Sequence, residues 1–116
     1  MGLSTHVLDT ACGLPAAGMR VVLSVWGDGG WQPQASVLTN AHGRTDVPLL
    51  EGDALSPGRY QLEFHVADYF RRQGVTLPEP PFLDIVPLCI GIADPAGHYH
   101  VPLLCSPWSY STYRGS

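Results

Sequence analysis

Lysine is absent from this 116-residue chain: its six basic side chains are all arginine, at positions 20, 44, 59, 71, 72 and 114, set against 10 Asp and Glu for a formal charge of -4. No basic stripe is available to follow a phosphate backbone, so nucleic acid is not expected as a partner. Charge of either sign is scarce, at 14% of residues, while 45% are hydrophobic. Such a chain can bury enough apolar surface to fold and does not have the composition of a disordered segment. Long apolar runs are missing too. Nothing approaches the ~20 residues needed to cross a bilayer, so no membrane partner is expected. The opening Met-Gly-Leu-Ser-Thr-His lacks the charged and apolar regions of a secretory signal, and a cytoplasmic protein is expected. The three cysteines, Cys12, Cys89 and Cys105, form no C-x-x-C pair and cannot all pair with one another. They imply neither a disulfide framework nor a zinc ribbon, and reduced thiols are expected. G-x-S-x-G, P-loop, H-E-x-x-H and Gly-rich dinucleotide signatures are all lacking, which removes the best support for serine-nucleophile, nucleotide-binding and zincin readings.

The length implies one domain, residues 1–116. About two thirds of the unfolded chain's surface is buried at this size, which supports a core but leaves little room for a deep private pocket. A sizeable ligand site is therefore expected to need a partner subunit. The 13 glycines and 11 prolines are spread along the chain, dividing it into short segments in the manner of an all-β domain. Residues 5–10, 19–26, 31–40, 59–66, 85–93, 98–106 and 108–114 read as seven strands, with an eighth short one near 45–49. Gly27-Asp28-Gly29-Gly30 accepts positive φ and predicts a hairpin. Residues 67–73, with no β-branched side chain and Gly74 behind them, predict one short surface helix with Tyr69 and Phe70 as its packing face. Pro87 places the strand around it at a sheet edge.

Polar residues in strand-like segments are the candidates for chemistry. His98-Tyr99-His100 puts two imidazoles on one strand face, roughly 7 Å apart. Such a pair suits metal binding or acid/base work, although a catalytic zinc takes three protein ligands and the spacing alone also fits two half-exposed histidines. His6 shares a face with Leu8, and Val7 and Asp9 share the other. Arg44 follows Gly43, with Asp46 near enough in sequence for a surface ion pair. His42 and His65 read as surface or packing residues. In the tail, Ser109, Ser111, Tyr113 and Gly115 share one face and Tyr110, Thr112 and Arg114 the other, so small residues leading to one tyrosine suggest a face kept open for a ligand.

The segments STHVLDT, GRTD at 43–46 and HYHVPLLCSPWSYSTYRGS closely resemble the 5-hydroxyisourate hydrolases, transthyretin-related enzymes of urate breakdown, and the resemblance covers essentially the whole chain. It implies a sandwich of two four-stranded sheets with one short helix, and a homotetramer built as a dimer of dimers around a central channel. The implied reaction opens 5-hydroxyisourate at a cyclic amide bond, with no cofactor and no metal. The family's active-site residues fall on His6, Arg44, His100 and Tyr113, with His98, Ser111 and the Ser116 carboxylate as further substrate contacts. Transthyretin, a hormone carrier of the same fold, has lysine for His6, glutamate for Arg44 and threonine for both His100 and Tyr113. Cys105, Trp108 and Pro87 depart from the enzyme pattern, and Cys105, opposite in face to His100, should affect packing rather than chemistry. A non-catalytic carrier and a zinc hydrolase using His6, His98 and His100 are the alternatives.

Overall fold

A computed structural model describes residues 2–116. Its strands are β1 (Gly2–Asp9), β2 (Leu14–Pro15), β3 (Arg20–Gly27), β4 (Gly30–Leu38), β5 (Leu50–Glu51), β6 (Gly58–His65), β7 (Ile85–Ile92), β8 (His98–Cys105) and β9 (Tyr110–Thr112), with an α-helix, α1 (Val66–Arg72), and a 3-10 turn at Gly52–Ala54. Two sheets form. One is antiparallel in the order β4-β3-β6-β7; the other runs β2-β1-β8-β9, with β5 also on β1. β2 takes the Leu8 end of one edge of β1 and β5 takes the Gly2 end of the same edge. The two fragments thus fill one broken lane, which makes the sheet four positions wide, as the family resemblance implied.

Alternation builds the core. Along β1, Leu3, Thr5, Val7 and Asp9 are buried while Gly2, Ser4, His6 and Leu8 face outward. On β8, Tyr99, Val101, Leu103 and Cys105 turn inward. They meet Val21 and Leu23 of β3, Tyr60, Leu62 and Phe64 of β6, and Val86 and Leu88 of β7 in one apolar cluster. His6, His98 and His100 sit on the opposite face of the β1–β8 sheet. Thr5, the buried polar residue at its centre, donates its hydroxyl to the Val101 carbonyl at 2.7 Å, removing the cost of an unpaired buried group.

Local chemistry sets the turns. β3 and β4 are joined by Asp28 and Gly29 at φ 53 and 78, both positive, which is what a tight right-twisted hairpin requires. The helix runs one residue ahead of the expected 67–73, from Val66 to Arg72, and the expected glycine stop is there: Gly74 at φ 87 lets its N–H reach Arg71 O while Val75 N–H reaches Phe70 O, a glycine-terminated cap. Tyr69 and Phe70 are buried. Pro87 lies on β7, which among the described residues pairs only with β6. Strand bounds shift as well, the first strand running Gly2–Asp9 rather than 5–10. The eighth strand forms at Leu50–Glu51 rather than 45–49, where Pro48 has no N–H to donate, and the ladder to β1 begins with Leu49 N–H on Leu3 O. The last strand starts at Tyr110 because the Ser106 hydroxyl accepts the N–H groups of Trp108 and Ser109, closing a turn around Pro107 first.

A buried hydrogen bond adds to the apolar packing that joins helix and sheet. Tyr69 donates its hydroxyl to Asp9 Oδ2 at 2.8 Å, while Asp9 Oδ1 accepts from Ala11 and Cys12 N–H. Burial and this carboxylate push the Tyr69 phenol well above its usual range, so it stays a donor. Replacing Tyr69 with Phe leaves a buried carboxylate oxygen short of a partner and should cost about 1–3 kcal/mol, read as a lower urea midpoint at unchanged slope; an unchanged midpoint would show that the contact carries no stability.

Candidate active site

The broken lane beside β1 is where the site is assembled. Between β2 and β5 the chain at residues 40–46 turns in against the strand: Val7 N–H donates to Gly43 O at 2.8 Å, and Ala16 N–H to Val7 O at 2.9 Å. Gly43 is required here. It holds φ 74, and a Cβ would lie 2.3 Å from Val7 O, so no larger residue could bring the turn this close. Asn40 organises the turn, its Oδ1 accepting from His42 and Arg44 N–H. Its Nδ2 donates to Asp46 Oδ1 at 3.1 Å. Among the described residues the ion pairs join only His65, Asp68, Arg71 and Glu79, so Asp46 serves the turn and does not neutralise Arg44.

Arg44 therefore stands beside the outward face of β1 and β8 and borders two adjoining hollows. One, of about 560 Å3, is lined by Gly2, Ser4, Arg44, Pro48, His98, Tyr99, His100 and Ser116. The other, of about 510 Å3, has His6, Asn40, His42, Arg44 and Asp46 among its lining. Each is an open groove rather than an enclosed cavity. The structure thus gathers His6, Arg44, His98, His100 and Ser116. Tyr113, 61% exposed, borders a different depression, with Ile90, Gly91, Thr112 and Arg114. Ser111 borders neither groove; it lies opposite Leu104 in the β8–β9 ladder.

Electrostatics single out two imidazoles. Partial burial, and then the Arg44 guanidinium, lower the pKa of His6 below the ordinary 6.5, with the backbone of His42 acting the other way. His100 is lowered for the same two reasons in the same order, with His6 adding a third. Both are consequently neutral near pH 7, where a neutral imidazole can accept a proton. Among the described residues no three His, Cys, Asp or Glu side chains come together as a metal-ligand set, so His6, His98 and His100 do not form one. Two participants were missed in the sequence. His42 borders the His6 groove, and only the fold of the 40–46 turn brings it there. The Ser4 hydroxyl lies 2.9 Å from His100 Nδ1; alternation puts Ser4 on the face of His6, but its pairing with His100 depends on a register between strands 96 residues apart.

A profile of the HIUase/Transthyretin family matches residues 3–115. The chain belongs to that family. Among curated relatives it is 58% identical to a 5-hydroxyisourate hydrolase of Deinococcus radiodurans, across 99% of this chain and 96% of that one. It is 56% identical to another from Ralstonia nicotianae, across 98% and 97%. Of solved structures, the (S)-allantoin synthase gives a TM-score of 0.92 at 43% identity, over 99% of this chain but only 43% of that longer one. Klebsiella pneumoniae 5-hydroxyisourate hydrolase gives 0.81 at 35% identity over the whole of both chains. Sea bream transthyretin in complex with thyroxine gives 0.86 at 31%, over 99% and 95%. The HIUase/Transthyretin fold accordingly spans hydrolases and a thyroxine-bound protein, and the backbone alone does not separate them.

The shared field of Arg44 has a measurable consequence. In NMR titrations His6 and His100 should both titrate below 6.5, and Arg44→Gln should raise both without restoring the ordinary value, because burial persists. The sign for stability follows. With folded pKa values below the unfolded one, the unfolded chain binds more protons as pH falls through and below 6.5, so the stability associated with the neutral imidazoles is present above that pH and lost beneath it. Arg44→Gln titrations superimposing on wild type would show that the guanidinium does not act on either ring.

Proposed function

We propose that this chain is a 5-hydroxyisourate hydrolase. It opens the six-membered ring of 5-hydroxyisourate at a cyclic amide bond by attack of water, giving 2-oxo-4-hydroxy-4-carboxy-5-ureidoimidazoline on the route from urate to allantoin. One observation carries the reading beyond the likeness to named hydrolases: an arginine with no carboxylate ion pair among the described residues borders both grooves and helps lower the pKa values of the two imidazoles there, on an open strand face.

Amide hydrolysis needs a base for water, a positive group for the developing oxyanion, and an acid for the leaving nitrogen. His100, neutral, takes a proton from water as the oxygen bonds to the carbonyl carbon, with His6 sharing or relaying that proton. The carbonyl oxygen gains negative charge opposite Arg44, whose planar fork can hold two oxygens at once, a geometry lysine does not offer. When the carbon–nitrogen bond breaks, the proton held by the imidazoles passes to the departing nitrogen, so the histidines end the cycle neutral. His98 and Ser116, in the same groove, contact the ring. Arg44 also draws an anionic substrate to a protein whose net charge is negative.

Tyr113 and Ser111 enter through a second copy. The grooves are open in one chain, and among the described residues β7 and β9 each leave one edge unpaired, a means of joining copies. In a dimer of dimers the outward faces of the β1–β8 sheets oppose one another, and Tyr113 positions substrate across that seam. Sedimentation should give a tetramer at assay concentration; a fully active monomer would overturn the shared site.

The reaction is tested by following 5-hydroxyisourate made in situ by urate oxidase. Its absorbance should decay faster with this protein than without it, and His100→Ala and Arg44→Ala should each lower kcat/KM by about 10² or more. Near wild-type rates in both variants would sink the residue assignment. Ligand binding with no acceleration in the wild type would favour the transthyretin-like carrier.

A further inference from the structure

His100 is held from both sides, and the two contacts differ in kind. On the β1 side, the parallel ladder sets Ser4 directly opposite His100, and the Ser4 hydroxyl meets Nδ1 at 2.9 Å. On the other side the tail returns as a single bridge, with Gly115 N–H donating to His100 O at 2.7 Å. A Cβ at Gly115 would lie 2.6 Å from His100 Cδ2 and 3.3 Å from Cγ, so the tail lies flush against the ring only because residue 115 has no side chain. Arg114 fastens the tail there, its guanidinium 4.2 Å from the centre of the Tyr99 ring and its Nη2 donating to His98 O at 3.1 Å.

With Nδ1 engaged by Ser4, Nε2 is the nitrogen left for the groove. A hydroxyl can serve Nδ1 in two ways. If it donates, Nδ1 is the bare nitrogen, Nε2 carries the hydrogen, and the ring presents an acid. If it accepts, Nδ1 carries the hydrogen and Nε2 presents a lone pair. Only the second arrangement survives protonation, since the imidazolium carries hydrogen on both nitrogens and a hydroxyl oxygen can go on accepting from Nδ1. We propose that Ser4 is the positioning residue for His100: its Oγ accepts the Nδ1 hydrogen, holds the ring in the tautomer whose Nε2 is unprotonated, and, with the side-chain-free Gly115 against the other flank, aims that nitrogen at the water. Ser4 touches no reacting atom. It acts by fixing which nitrogen reacts, as the partner of a catalytic or metal-bound histidine does elsewhere. This inference rests on the hydrolase reading for its catalytic consequence, but not for the tautomer itself.

The test has two readouts. Nitrogen-15 shifts of the His100 ring, taken without substrate above its pKa, should report hydrogen on Nδ1 in the wild type, and Ser4→Ala should move the population toward the Nε2–H form. A wild-type ring with its hydrogen on Nε2, or an unchanged distribution in Ser4→Ala, would overturn the proposal whether or not the protein is a hydrolase. In the 5-hydroxyisourate assay, Ser4→Ala should lower kcat by at least about tenfold with KM little changed and an unaltered melting temperature, and Ser4→Thr, which restores a hydroxyl, should recover most of the loss. Wild-type kcat in Ser4→Ala, or Ser4→Thr as impaired as Ser4→Ala, would also overturn it. A wild type that does not turn over 5-hydroxyisourate would sink the hydrolase reading alone and leave the ring shifts to decide the role of Ser4.

Discussion

The arrangement of this molecule depends on the pairing of its first strand with its eighth. β1 and β8 lie parallel and in register over eight residue pairs, from Gly2 opposite His98 to Asp9 opposite Cys105. Because side chains alternate at the same period on both strands, one register decides two things. It sends Leu3, Thr5, Val7, Tyr99, Val101 and Leu103 into the core together, and it leaves Ser4, His6, His98 and His100 on the other face. A slip of one residue would bury imidazoles and expose leucines. The apolar face, which supplies the driving force, thereby fixes the polar face, which carries the candidate site. The Thr5 hydroxyl on Val101 O adds a directional contact to that register from inside the core.

The broken lane on the other edge of β1 is as consequential as the continuous ladder to β8. A continuous strand there would have completed the ladder and excluded an arginine. Instead the lane holds β2, a turn and β5, and the turn is the part that delivers Arg44. Its approach is set by a backbone that only glycine can follow, at Gly43, and by an asparagine that satisfies the turn's own N–H groups. With Asp46 engaged by Asn40, the guanidinium keeps its charge available and imposes it on both histidines. In a chain with only 6 basic residues, the one in this turn acts on the site because of where it is held rather than through any excess of positive charge.

Much of the fold was legible because it is written locally. Turn residues and alternation gave the long strands, Asp28-Gly29 the hairpin, Gly74 the helix stop and Pro87 the edge. The fragments were not legible: two-residue strands such as Leu14–Pro15 have no periodicity to read, and the extent of β9 was set by the Ser106 hydroxyl competing for N–H groups that a strand would have used. For the site, the types of residue were visible and their mutual placement was not. His6 and His100 could be assigned to faces from their own strands, whereas the Ser4–His100 contact and the position of His42 exist only once distant segments are paired. The Tyr113 of the family motif shows the same limit at the next level. Its strand face could be read, but a single chain does not bring it to the grooves.

The separation of faces also explains how so short a chain can carry a site and how one fold can carry different ones. The apolar cluster of the sandwich lies on one side of the β1–β8 sheet, so side chains on the other side can change without opening cavities in that core. Cys105, turned inward among apolar neighbours with its thiol pushed up to about 12, takes no part in that outer surface. At Gly43 and Gly115 the outer face constrains the backbone, and in both places the constraint is an absent side chain that lets a peripheral segment come close to β1 or to His100. A hydrolase on this scaffold therefore needs more than the right polar residues on an open sheet. It needs the glycines that let an arginine turn and a C-terminal tail close in on those residues, because a histidine left free on an exposed strand face would have neither a fixed tautomer nor a charge beside it.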